Sequence, residues 1–199
     1  MYSFIRIMIF LIVWLLAVCI IKKTKLRNVR KIYFISAVIC LVLSSVACYI
    51  PVENAFTSFE TAEQVFDYTN WEESQLVLEG ENSCMVVYES APSTSSFSFV
   101  GKDEDGYKIL PQHLSKMISR KSDENGVVLV YNVKDSNDYY IIATVGVHEN
   151  VQVECESGEL ESSIMTISNT GIYYIYVSDL QESTHLIVDG KTISIPDGM

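Results

Sequence analysis

The sequence predicts two N-terminal transmembrane helices followed by a β-rich extracytoplasmic domain of α+β or β-sandwich-like build. Three observations predict it. Residues 4–50 are apolar almost throughout, interrupted by one basic cluster. From residue 75 the apolar pattern shortens into β-branched and aromatic runs separated by turn formers. The charge also changes sign near residue 50. The chain has 199 residues, with Lys+Arg 14 and Asp+Glu 25. Residues 1–50 hold seven basic and no acidic residues, which leaves seven basic and 25 acidic, a net of −18, for the rest.

The first apolar run, 4–21, reads FIRIMIFLIVWLLAVCII, and Arg6 is its only charge. The second, 32–50, carries no charge and has Tyr33 and Tyr49 near its two ends. A hydrocarbon core of roughly 30 Å takes about 20 apolar residues at 1.5 Å each, so each run is read as a span of the lipid bilayer. Lys22, Lys23, Lys25, Arg27, Arg30 and Lys31 fill the loop 22–31. A short loop this basic is expected on the cytoplasmic side, which would put both termini and the acidic domain 51–199 outside a bacterial cell membrane. Within the second run, Ser36, Cys40, Ser44 and Cys48 recur every four residues and form a small-residue ridge for helix packing. The run ends Ser45-Val46-Ala47-Cys48, which loosely resembles a bacterial lipobox, with Ser45 where Leu is usual.

After Pro51 the stretch VENAFTSFETAEQVFDYTN predicts a short amphipathic helix capped by Thr57 or Ser58, with Phe59, Ala62, Val65 and Phe66 on one face. Strands are expected at QLVLE, CMVVYE, FSFV and YKIL, then at VVLVYNV, YYIIATV, VQVEC, IYYIYV and LIVDGKTISI. Residues 111–121 fit a short helix or a strand, and ESGELESSIMTIS has little pattern. Asp189-Gly190 between alternating strands is the signature of a two-residue type I′ hairpin. The division expected is an α+β unit at 57–121 and a β-sandwich-like unit at 127–197, with one continuous domain as the alternative.

Convergent chemistry is scarce. His113, His148 and His185 are far apart, and His148-Glu149 has Gln152 where a zinc helix motif needs its second His. There is no G-x-S-x-G elbow, P-loop or Gly-rich dinucleotide fingerprint, and no N-glycosylation sequon. Asp103 and Asp105 in the turn DEDG are the calcium candidates, but an EF-hand register would put Gly101 and Gln112 where Asp and Glu are required. Cys84 and Cys155 are the two cysteines of the domain and the pair available for a disulfide. No cofactor and no catalytic residue is expected.

A domain at −18 repels nucleic acid and anionic headgroups and suits cationic peptides, metal ions or basic proteins. The layout resembles that of two-span bacterial surface proteins with an acidic ectodomain, a likeness of architecture that carries over no site residue. The function expected is a cell-envelope binding or interaction module. The alternatives are an accessory subunit packing through the second span, to another membrane or envelope protein, and an envelope-directed hydrolase using carboxylates.

Overall fold

A computed structural model describes residues 2–23, 29–92, 94–123, 126–147, 151–155, 162–167, 170–181, 184–189 and 191–195. Both N-terminal runs are helical, as α1 (Tyr2–Lys23) and α2 (Val29–Tyr49). Among the described residues, however, no helix is long and apolar enough to cross a membrane. The reading of 4–21 and 32–50 as transmembrane helices, and of the chain as a two-pass membrane protein, is corrected accordingly.

The two helices pack against each other. Phe10, Trp14 and Ala17 of α1 are half-buried, as are Ser36, Cys40 and Ser44 of α2, while Leu11, Leu15, Phe34 and Leu41 are exposed. The Ser36 and Ser44 hydroxyls donate to the carbonyls of Tyr33 and Cys40 on their own helix. That removes their polarity from the less exposed side, where small side chains let helices approach. At the base of the pair, the buried Arg6 guanidinium bonds the Glu53 carboxylate and donates to the Ile50 carbonyl at 3.2 Å. This ties α1 to a 3-10 turn at Val52–Ala55.

Among the described residues, the remaining chain forms α3 (Ala62–Thr69) and twelve antiparallel strands in three sheets. The first sheet is β1 (Ser74–Glu79), β2 (Ser83–Ala91), β3 (Thr94–Asp103) and β4 (Gly106–Ile109) in sequential order. The second runs β5 (Ser115–Asp123), β6 (Gly126–Val133), β7 (Asp138–Thr144), β10 (Ile172–Ser178), β9 (Ser162–Thr166). The third is β12 (Lys191–Ser194), β11 (Thr184–Val188), β8 (Val151–Cys155). The β-rich expectation stands. The segment 111–121 contains both things expected of it, a 3-10 turn at Gln112–Leu114 and then β5. The boundary expected between residues 121 and 127 falls inside the β5–β6 hairpin.

Strand alternation stacks these elements into layers. On β2, Cys84 and Val86 face α3, where they meet Ala62, Val65 and Phe66. Their neighbours Met85 and Val87 face the second sheet and pack with Tyr140, Ile142, Tyr174 and Tyr176. The intervening residues Ile141, Ala143, Tyr173, Ile175 and Val177 face the third sheet and pack with Leu186 and Val188. The second sheet is therefore covered on both faces, which is why its central strands read as almost continuous apolar runs. β11 and β12 pair in the register expected of a hairpin, with Val188 opposite Lys191 and Asp189 at φ 45°, while Gly190 lies outside the described residues.

The helix cap differs from expectation. Thr61, rather than Thr57 or Ser58, accepts from the Gln64 backbone N–H. Residue 59 is unavailable to the helix because Phe59 exchanges backbone hydrogen bonds with Tyr107 on β4, at 3.0 and 2.9 Å. The expected apolar face survives this shift: Ala62, Val65 and Phe66 are buried and Phe59 packs beside them.

Candidate functional site

The Asp138 carboxylate, at the start of β7, is fully buried. It accepts from the Glu81 and Asn82 amides at 3.2 and 2.8 Å, the Ser83 hydroxyl at 2.6 Å and the Tyr176 hydroxyl at 3.0 Å. Ser83 also shares a 3.0 Å hydrogen bond with the Tyr140 hydroxyl. Such a set satisfies a buried charge and fastens the β1–β2 turn to the second sheet. Gly80 is needed there, since a Cβ would lie 2.7 Å from both the Tyr140 hydroxyl and the Tyr176 ring. Burial pushes the Tyr176 phenol up to about 12, aided by the Asp138 charge, and pushes Tyr140 up further. These groups are built into the packing, and their chemistry is that of a latch.

Beside the latch, the rim of the first sheet carries paired charges. Lys102 bonds Glu79 at 3.3 Å, and the Tyr107 hydroxyl donates to the same carboxylate at 3.3 Å. Burial works against the charged Lys102, but its hydrogen bond to Glu79 and the nearby acidic groups Glu79, Tyr107 and Cys84 together outweigh this, and the ammonium is held above its ordinary range. Lys108 bonds Asp103 and lies 3.8 Å from Asp105. The hydrogen bond from Lys108 holds the Asp103 carboxyl below its usual range. The two residues read as calcium candidates thus face a lysine ammonium that already supplies positive charge to the turn. Among the described residues, no group of three or more His, Cys, Asp or Glu side chains is placed to hold a metal ion.

The other predicted positions are dispersed. Cys84 is a free thiol on the α3 side of the first sheet, while β8, which ends at Cys155, belongs to the third sheet with the second between them. The Cys155 side chain lies outside the described residues, as do His148 and the side chains of Cys48, Lys23 and Arg30. Lys25 and Arg27 also lie outside them, while Lys22 and Lys31 are exposed. His113 is exposed, and His185 lies 4.0 Å from Glu154 in the third sheet. The three histidines do not converge on a described site.

What the structure does assemble is an acidic, aromatic surface around α3. Because Ala62, Val65 and Phe66 turn inward, Glu63, Asp67 and Tyr68 must turn outward. Phe56 is 90% exposed, Trp71 76% and Tyr68 46%. The Phe59 and Tyr68 rings meet at 5.5 Å, which brings the segment before α3 against the end of the helix that leads to Trp71. Glu60, Glu63, Asp67, Glu72 and Glu73 are all exposed, and residues 56–73 contain no basic residue. Sequence reasoning singled out neither Phe56 nor Trp71. Their signal was available: bulky aromatics off the helical apolar face, in a stretch otherwise rich in carboxylates.

Compared with known proteins, the chain matches no family model, no curated protein and no solved structure.

Proposed function

We propose that the β-rich part of this chain is a binding module that holds a cationic partner, a basic peptide or a basic protein segment, on the acidic, aromatic face of α3. The observation that carries the reading is the exposure of Phe56, Tyr68 and Trp71 among five exposed carboxylates in a stretch, 56–73, that holds no basic residue. Exposed aromatics of this size supply the anchors that dominate interfaces, and Trp and Tyr faces attract ammonium and guanidinium groups. The carboxylates steer a positive partner inward and repel a negative one. The Asp138 latch and the α3 core hold the surface on a rigid support.

Trp71 is one of two tryptophans in the chain, so its fluorescence reports occupancy. Titrating the full chain with a blocked oligo-arginine peptide should change that emission, with an affinity that falls as salt rises. Trp71→Ala, Glu63→Gln and Asp67→Asn should each weaken binding, and the pair Glu63→Gln/Asp67→Asn should flatten the salt dependence. Equal affinity for an oligo-glutamate peptide, or full binding by Trp71→Ala, would show that this face is not the site.

A further inference from the structure

The sheets end in different ways. On β4, the outer side is closed: Phe59 pairs with Tyr107, and the Asn54 amide donates to the Ile109 carbonyl at 2.8 Å and accepts its N–H at 3.0 Å. The second sheet terminates at β5, and among the described residues no further strand pairs with it. β5 has nine residues, more than β1, β4, β8, β9 or β12, the other strands at sheet ends. A terminal strand presents alternate backbone N–H and C=O groups outward, ready to pair with another extended segment.

The side chains on this strand have a sign opposite to that of the domain around them. Lys116, Arg120 and Lys121 fall within six residues and make up three of the seven basic residues that follow residue 50. Lys116 and Arg120 are exposed. The register places Arg120 opposite Leu129 and Lys121 opposite Val128, residues of β6 that face the first and third sheets respectively. Positive charge therefore flanks the edge on both faces. Met117, 46% exposed, sits opposite Tyr131, whose ring packs edge-on to Phe97 at 4.9 Å, so an apolar step adjoins the charges. The pairing of β5 with β6 skips at residue 118, and 119–123 then pairs without interruption, leaving a regular stretch long enough to template a short strand.

We propose that the outer edge of β5 is a docking site for an acidic extended segment of another protein, which adds as a further strand to the second sheet. Backbone hydrogen bonds to 119–123 give the affinity, and carboxylates beside Lys116 and Arg120 give the choice of partner. Charge complementarity decides the occupant. A second copy pairing edge to edge would set these cations against one another, and like charges directly opposite destabilise a sheet.

The test uses the full chain and a blocked, fluorescent octapeptide alternating glutamate and threonine, with a lysine/threonine peptide as its counterpart. The acidic peptide should bind with salt-sensitive affinity, and backbone amides within 119–123 should gain protection from hydrogen exchange. The variant Lys116→Glu/Arg120→Glu should lower affinity for the acidic peptide at least tenfold and raise it for the lysine peptide. Both substitutions are at exposed positions, and the gained affinity shows that a loss is not misfolding. Binding of both peptides alike by the unaltered chain would overturn the proposal. So would protection confined to other strands, or concentration-dependent dimerisation protecting 119–123 without peptide.

Discussion

The Ser83 hydroxyl of β2 donates to the Asp138 carboxylate of β7 at 2.6 Å, joining two residues 55 positions apart in different sheets. Around this bond the chain closes the first sheet onto the second. Removing the carboxylate with Asp138→Ala leaves two amides and two hydroxyls without their acceptor. Since hydrogen bonds to a charged group contribute about 1.5–3 kcal/mol each and do not add fully, a loss of about 3–5 kcal/mol is expected in urea denaturation. Asp138→Asn should cost less, because its one oxygen still accepts. Equal stability of the Ala variant would show that the latch contributes nothing.

Alkaline pH should weaken the fold. Burial pushes the Cys84 thiol from 9.0 up to about 12, and the Tyr176 phenol from 10.0 up to about 12. Both groups stay protonated in the folded chain at pH values where the unfolded chain has lost these protons. Stability is thus undiminished below about 9 and falls as pH rises from there through about 12. Chemical denaturation between pH 8 and 11 checks the sign. Cys84→Ala should reduce the slope above pH 9, and an unchanged slope would exclude the thiol as a contributor.

On the surface, Lys108 controls the ionisation of Asp103 through their hydrogen bond. Replacing Lys108 with Met should return the Asp103 carboxyl towards its ordinary range, read by carbon NMR of the side chain. An unmoved titration would mean that the Asp105 and Gly106 backbone N–H groups, and not the ammonium, set it.

Two aromatic residues of the α3 region should respond in opposite ways. Phe66 is fully buried between α3 and the first sheet, so Phe66→Ala opens a cavity and should cost about 3–5 kcal/mol. Trp71 is largely exposed, and Trp71→Ala should change stability by less than about 0.5 kcal/mol while weakening cationic-peptide binding. Thermal melts paired with the fluorescence titration separate the two effects. A large stability loss in Trp71→Ala would make it a packing residue.

Most strands were legible in sequence because short β-branched and aromatic runs bounded by turn formers are a local property. The same holds for the inward face of α3 and for Asp189-Gly190. β9, however, lay in a stretch of little pattern, and β5 in one that fitted helix or strand alike. The N-cap was less legible: Thr57 and Ser58 have the right chemistry, but Phe59 is drawn into pairing with Tyr107, nearly fifty residues away, and the helix starts later at Thr61. The apolar composition of 4–50 did specify helices, yet composition alone led to membrane spans, which no described helix has the length and apolarity to make. The latch was hidden for a different reason. Asp138 sits in KDSND, a stretch that reads as a solvated turn, and Ser83 follows another polar turn.

By itself, the sequence determined periodicity, charge and turn chemistry. These suffice for a β-rich, strongly acidic domain with its hairpins and its short amphipathic helix. Only the tertiary structure decided which polar residues are buried, which strand is left at an edge and which aromatics stay in water. Those outcomes depend on pairings between distant segments. Asp138 is buried because the first sheet folds over it, Lys116 and Arg120 lie on an edge because among the described residues no strand pairs beyond β5, and Trp71 is exposed because α3 turns its other face to the core.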